Sequence, residues 1–113
     1  MKRIIAFIKP SKLSAVNLAL QNMEGLTGVS ISNIRGFGRG RAKDAVDRVS
    51  VESMDFIISI RLEISCSDEL AEQVVATIMK NAHTGLRGDG KIYISAVEDA
   101  IRISTRERGE TAV

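Results

Sequence analysis

The hydrophobic positions along the chain follow two periods, which predict four strands and two helices. Apolar and polar residues alternate over 29–37, 56–65 and 91–96, and residues 2–8 form an apolar run typical of a central strand. Apolar residues three and four apart predict helices that begin near Ser11 and near Ser67 or Asp68. The order of these elements predicts an α+β, ferredoxin-like fold, in which a doubled βαβ unit forms a four-stranded antiparallel sheet with both helices on one face.

The face of this sheet that carries no helix also needs a cover. Isoleucine, phenylalanine and valine occur on both faces of several strands, so we expect a partner subunit to pack there. A chain of 113 residues suits one domain, 1–113, and a core of that size gains stability from oligomerisation.

Residues 38–54 interrupt the pattern between the second and third predicted strands. This stretch is polar, charged and without clear periodicity, and Val46, Val49 and Val51 are the residues expected to give it local extended structure. Such a long connection in a small domain is usually functional or disordered.

Composition removes some classes of protein. A net charge of +2 is too small to indicate a nucleic-acid binder, and a single cysteine, Cys66, excludes an intrachain disulfide. No apolar run reaches the roughly 18 residues that a membrane helix needs, and nothing at the start resembles a signal peptide. We therefore expect a soluble, cytoplasmic protein.

The strongest chemical signal is the glycine-rich stretch from Thr84 to Ile92. It holds three glycines, at 85, 88 and 90, with Arg87 inside and Lys91 at its end. Closely spaced glycines allow positive φ and let backbone N–H groups approach an anion, to which a lysine adds a charge. The stretch predicts either a phosphate site or only a tight connection between helix and strand.

Several motifs occur in a characteristic order along the chain. They are Ile8-Lys9-Pro10, Thr27-Gly28-Val29-Ser30, Gly36-Phe37-Gly38-Arg39, Thr84-Gly85-x-x-Gly88-Asp89-Gly90-Lys91-Ile92, and Ile101-Arg102-Ile103. With them the chain resembles the PII signal-transduction family from end to end. Residues 38–54 then resemble that family's T-loop and 84–91 its nucleotide-binding B-loop, while 104–113 is expected to be a flexible tail.

The resemblance implies a regulatory protein without enzymatic activity. PII proteins are homotrimers that bind adenine nucleotide, ATP, ADP or AMP, in clefts between subunits and control a target protein, such as a membrane transporter or metabolic enzyme, through the T-loop. The residues that it assigns to the nucleotide are Ser30, Gly36, Phe37, Gly38, Arg39, Glu63, Ser65, Thr84, Gly85, Arg87, Gly88, Asp89, Gly90, Lys91 and Arg102. Among them Gly88 to Lys91 would hold the phosphates, and Arg102 would come from a neighbouring subunit.

The chain departs from the family pattern at four places. Gly40 replaces a glutamine that helps to hold Mg²⁺ and 2-oxoglutarate, and Ser59 replaces a lysine that binds the 2-oxoglutarate carboxylate. The loop has no tyrosine, which excludes tyrosine uridylylation, and Ser104 replaces a second phosphate-binding arginine. The usual 2-oxoglutarate sensing with Mg²⁺ is therefore not expected, and ADP or AMP should be preferred over ATP unless Arg106 or Arg108 substitutes.

Other proteins with this fold offer competing interpretations. An acylphosphatase-like enzyme would need a phosphate cradle at residues 9–12, where the sequence has no glycine, and a nucleophile with a base. An RNA-binding module would need aromatic residues arranged as a stacking platform, which the four aromatic residues do not provide. A simple phosphate-binding module stays open, whereas a metal-binding trimer would need a ligand set that the single histidine, single cysteine and scattered methionines do not form.

Overall fold

The computed structural model describes residues 1–38, 48–51 and 54–113. Its strands are β1 (Lys2–Ile8), β2 (Ser30–Gly36), β3 (Arg48–Val51), β4 (Met54–Cys66) and β5 (Lys91–Ala96), and its helices are α1 (Leu13–Gln21) and α2 (Asp68–Ala82). No helix among these described residues is long and apolar enough to cross a bilayer.

The main sheet is antiparallel and has the strand order β2-β4-β1-β5. In the register, Ile4 of β1 lies between Ile64 of β4 and Ile94 of β5. With α1 and α2, these four strands form the ferredoxin-like doubled βαβ arrangement, which confirms the predicted fold class.

The core lies between one face of the sheet and the two helices. Alternate residues of β1 and β4 are buried there because side chains in a strand point to opposite faces in turn. The buried residues of the two strands and the two helices include Ile4, Ala6, Ile8, Ile60, Leu62, Ile64, Val16, Leu20, Val74 and Ile78.

The opposite sheet face carries mixed side chains. Ile5 and Phe7 of β1 are half-buried, and Tyr93 of β5 is 55% exposed. Arg61 and Glu63 of β4 form an ion pair of 2.7 Å on the same face. No described helix covers this face, and its coverage by a partner subunit stays a prediction.

β4 is longer than the sequence pattern predicts, and its extension carries β3. Arg48 of β3 pairs with Ile57, which also pairs with Gly36 of β2, so the two strands flank β4 on opposite edges. Since β1 ends where Ile8 pairs with Ile60, β3 follows β1 along one edge of β4. The predicted extended structure is thus confirmed around Val49 and Val51, whereas Val46 lies outside the described residues.

The first helix begins later than predicted. Pro10–Lys12 forms a 3₁₀ turn, so α1 begins after it with Lys12 as its N-terminal cap, and Ser11 as the cap was wrong. Proline suits the first position of such a turn because its missing N–H has no partner there anyway. α1 ends at Gln21, and Gly25, with φ +88°, lies in the following turn.

The end of the chain folds into a small hairpin. The N–H of Arg102 donates to the Glu107 carbonyl and that of Gly109 donates to the Ala100 carbonyl, both at 3.0 Å. Arg106, with φ +65°, lies in the turn, and Gly109–Ala112 forms a 3₁₀ turn after the hairpin. The tail therefore has regular backbone contacts, and its flexibility stays a prediction.

Candidate functional site

The glycine-rich stretch joins the end of α2 to the start of β5. Gly85, Gly88 and Gly90 have φ values of +80°, +85° and +105°, which side chains rarely tolerate. A Cβ on Gly90 would lie 1.7 Å from the carbonyl oxygen of Phe7 in β1. The backbone itself therefore requires glycine in this loop, and at position 90 any side chain would collide with the neighbouring strand.

Asp89 organises the loop through its carboxylate. Oδ2 accepts hydrogen bonds from the N–H groups of Thr84 at 2.9 Å and Gly85 at 3.1 Å, and Oδ1 accepts one from the Thr84 hydroxyl. The Thr84 hydroxyl, followed by these two backbone N–H groups and Lys9, holds the pKa of Asp89 well below its usual range. The carboxylate is therefore ionised at neutral pH and occupied with shaping the loop.

Lys9, directly after β1, also supports the loop. Its Nζ donates to Oγ1 of Thr84 at 3.1 Å and lies 3.4 Å from Oδ1 of Asp89. Oγ1 of Thr84 accepts a further bond from the N–H of Leu86 at 3.0 Å, so this hydroxyl uses its one donor and both acceptor positions. Lys9 belonged to a sequence motif but had no predicted role, because its partner is 80 residues away in the sequence and only β1–β5 pairing brings the two together.

A cleft of about 620 Å³ opens between this loop and the end of β2. Of the predicted nucleotide residues, those that line it are Gly36, Phe37, Gly38, Arg87, Gly88, Asp89, Gly90 and Lys91. Arg87 and Lys91 form no ion pair with any residue in the described part of the chain. Two uncompensated cations and a glycine backbone on one side of a cleft are suited to an anion.

The rest of the cleft lining is largely apolar. It includes Phe7, Ile34, Ile57 and Tyr93, and the rings of Phe7 and Tyr93 meet edge to face with centroids 6.1 Å apart. Ser59 lies in the same lining and donates its hydroxyl to the Ile8 carbonyl at 3.1 Å. The serine that departs from the family pattern thus bonds the last residue of β1 and presents no charge to the cleft.

The remaining predicted residues lie elsewhere. Thr84 and Gly85 support the loop without lining the cleft, while Arg39 lies outside the described residues. Ser30 pairs with Glu63, and Ser65 follows on the same strand. Ser65 lies six residues beyond Ser59 along β4, about 20 Å from that residue of the cleft wall. Ser30, Glu63 and Ser65 do not line the cleft in this chain.

Arg102 is likewise separate from the cleft. Its guanidinium donates to the Thr111 carbonyl at 3.0 Å and pairs with Glu107 at 3.4 Å, both within the C-terminal hairpin. The site residues therefore form two groups, one around the glycine loop and one on the strands and hairpin.

Comparisons with known proteins agree on one family. The family described as nitrogen regulatory protein P-II matches residues 1–107. A nitrogen regulatory protein P-II of Haemophilus influenzae is 42% identical over 113 residues, 100% of both chains, and one of Pyropia yezoensis is 44% identical over 107 residues, 95% of both. The crystal structure of Arabidopsis thaliana PII bound to citrate superposes with a TM-score of 0.79 at 35% identity, covering 99% of this chain and 91% of that one.

Proposed function

The chain belongs to the nitrogen regulatory P-II family, and from that premise we propose that it binds an adenine nucleotide and thereby controls a partner protein. Proteins of this family are regulatory signal transducers and not enzymes, which leaves the acylphosphatase-like alternative without support. They are typically trimers that act on target proteins.

The observation that carries the proposal is the cleft between the glycine loop and the end of β2. The hydrogen bonds of Asp89 fix the shape of the loop, so little conformational entropy would be lost on binding. Arg87 and Lys91 supply positive charge at its edge. We propose that Gly88, Gly90 and Lys91 contact the phosphates while Asp89 supports them indirectly. The citrate in the plant PII structure, itself an anion, is consistent with an anion site in this family.

The second group of residues supports a site shared between subunits. Ser30, Glu63 and Ser65 are not among the residues that line the cleft of their own chain. A homotrimer that packs its sheets together would bury Ile5, Phe7 and Tyr93 and could bring this group beside a neighbour's cleft. We propose that Glu63, Ser65, Ser30 and Arg102 complete the nucleotide site of an adjacent subunit.

The choice of nucleotide follows from the charges available. Ser104 provides no cation, and Arg108 is paired with Asp99 at 3.3 Å. Arg106, in the hairpin turn, forms no ion pair with a described residue. We propose that ADP or AMP binds at least as tightly as ATP, unless Arg106 takes the place of the missing arginine. We also propose that the nucleotide binds without 2-oxoglutarate and Mg²⁺, because Ser59 and Gly40 lack the side chains that would hold them.

We propose that the protein contacts and controls its partner through residues 38–54. β3 and the extension of β4 connect this segment to Ile57 and Ser59, which line the cleft. A bound nucleotide would therefore contact the base of the segment. The partner we propose is a membrane transporter or a metabolic enzyme, contacted from the cytoplasm. No role in nucleic-acid binding is proposed.

Calorimetry with ATP, ADP and AMP tests the nucleotide site. Lys91→Ala should weaken ADP binding by about 1–3 kcal/mol, the worth of a charged hydrogen bond. Lys12→Ala, in the 3₁₀ turn and not among the residues that line the cleft, serves as the matched control and should bind as the wild type does. Unchanged ADP affinity in Lys91→Ala would remove the phosphate role from this loop.

Mixed trimers test whether the site is shared. Lys91→Ala and Arg102→Ala homotrimers should each bind ADP weakly. After subunits of the two variants are exchanged, some clefts would be formed by Lys91 of an Arg102→Ala subunit and Arg102 of a Lys91→Ala subunit. Such clefts carry neither substitution and should bind ADP with the affinity of the wild type. If no cleft recovers, the two residues act within one subunit and the shared site is excluded.

A further inference from the structure

His83 lies at the junction of α2 and the glycine loop and is the only histidine in the sequence. It caps the C-terminal end of α2, where its N–H donates to the Met79 carbonyl at 3.2 Å. Its Nδ1 lies 3.2 Å from Oδ2 of Asp89, the carboxylate that organises the loop. The side chain is 73% exposed.

Asp89 therefore has one cationic partner of constant charge, Lys9, and one partner of variable charge, His83. Lys9, 3.4 Å from Oδ1, is charged throughout the physiological range. An imidazole, by contrast, changes charge between about pH 5 and 8. Among the described contacts of Asp89, His83 is the one with a side chain of the kind that changes charge near neutral pH.

We infer that His83 is a positioning residue of the glycine loop and that its proton makes the affinity of the loop for phosphate depend on pH. The inference rests on the proposed nucleotide site. When the imidazole is protonated, it forms an ion pair with Asp89 and adds a positive charge beside the anion-binding backbone. When it loses the proton, this charge disappears while the bonds from Lys9, Thr84 and Gly85 remain.

The surrounding charges couple the proton to the ligand. Two negative features lie next to the imidazole, the Asp89 carboxylate and the C-terminal end of α2. The other charged groups around the imidazole are all cations. They are Lys9 after β1, Lys80 in the last turn of α2, Arg87 in the loop and Lys91 at the start of β5. A bound phosphate would offset these cations and so favour proton uptake, and by reciprocity the proton favours the phosphate.

The test compares ADP affinity in the wild type and His83→Gln at pH 6 and pH 8. Glutamine keeps a hydrogen-bonding group but no titratable charge, and the titration of ADP itself is common to both proteins. The wild type should bind about two- to fivefold more tightly than His83→Gln at pH 6 and nearly equally at pH 8. Lys80→Gln is the control: it removes a cation of constant charge, so its effect should be the same at both pH values.

A second measurement needs no variant. The ring protons of this single histidine can be followed by NMR against pH, and the midpoint should rise by about 0.3–0.7 pH unit when ADP is bound. An affinity ratio independent of pH, or a midpoint that ADP does not raise, would overturn the inference while leaving the nucleotide site intact. A protein that binds no ADP at either pH overturns the proposed function and the inference with it.

Discussion

Two glycine-containing turns line the same cleft but use glycine for different reasons. In 84–91, all three glycines have positive φ and Gly90 has no room for a Cβ. In 36–38, neither glycine has positive φ, and a Cβ at Gly36 or Gly38 would meet no atom within 4 Å. The fold of the described chain thus requires glycine in the first turn and not in the second. We propose that the bound nucleotide, which would lie against the backbone at 36 and 38, is the reason for glycine at these two positions.

Substitution of Gly90 should have the largest effect on stability. In Gly90→Ala, the added Cβ collides with the Phe7 carbonyl, and the cost should be at least about 3 kcal/mol of the free energy of unfolding. Chemical denaturation measures it, with Gly28→Ala as the control because that site has open space. Equal stability of the two variants would contradict the close approach of the loop to β1.

Removal of the Asp89 charge should have an intermediate effect that depends on pH. Asp89→Asn should lower the free energy of unfolding by about 1–3 kcal/mol at pH 7, because it weakens the acceptor for three loop donors. The pKa of Asp89 is lowered in the folded state, so its contribution is fully present above the ordinary carboxyl pKa of about 3.9. The contribution is lost as the pH falls below that value towards the folded pKa.

Denaturation of both proteins between pH 3 and 7 checks this expectation. The stability difference between the wild type and Asp89→Asn should narrow as the pH is lowered through 4. A stability difference that stays constant over this range would mean that the charge of Asp89 does not contribute to the free energy of unfolding.

Substitution of Gly36 should have the smallest effect on stability and separates the two turns. Gly36→Ala should change the free energy of unfolding by less than about 1 kcal/mol, and in the stabilising direction, because glycine in a strand costs conformational entropy. If the nucleotide lies against this turn, calorimetry should nevertheless show weaker ADP binding. A stable variant with unchanged ADP affinity would remove Gly36 from the site.

The sequence pattern predicted the architecture well because each periodicity reflects the burial of one element. Residues 2–8 and 91–96 coincide with β1 and β5, and the spacing of Leu70, Val74 and Ile78 follows the inner side of α2. The start of α1 was missed because Pro10 begins a 3₁₀ turn before the helix. The extension of β4 was missed because pairing with β3 is a contact between segments, which the alternation of one segment does not record.

The glycine loop is where the contributions of sequence and structure separate. The sequence alone identified the loop, its cations and the family, because glycine spacing and motif order are local properties. Only the tertiary structure decided what Asp89 does, since it turns the carboxylate to the backbone of Thr84 and Gly85 and brings Lys9 and His83 against it. It likewise left Glu63 and Ser65 out of the residues that line the cleft. The reason is physical: hydrogen bonds and charge pairs depend on distances in space, and the pairing of β1 with β4 and β5 sets those distances.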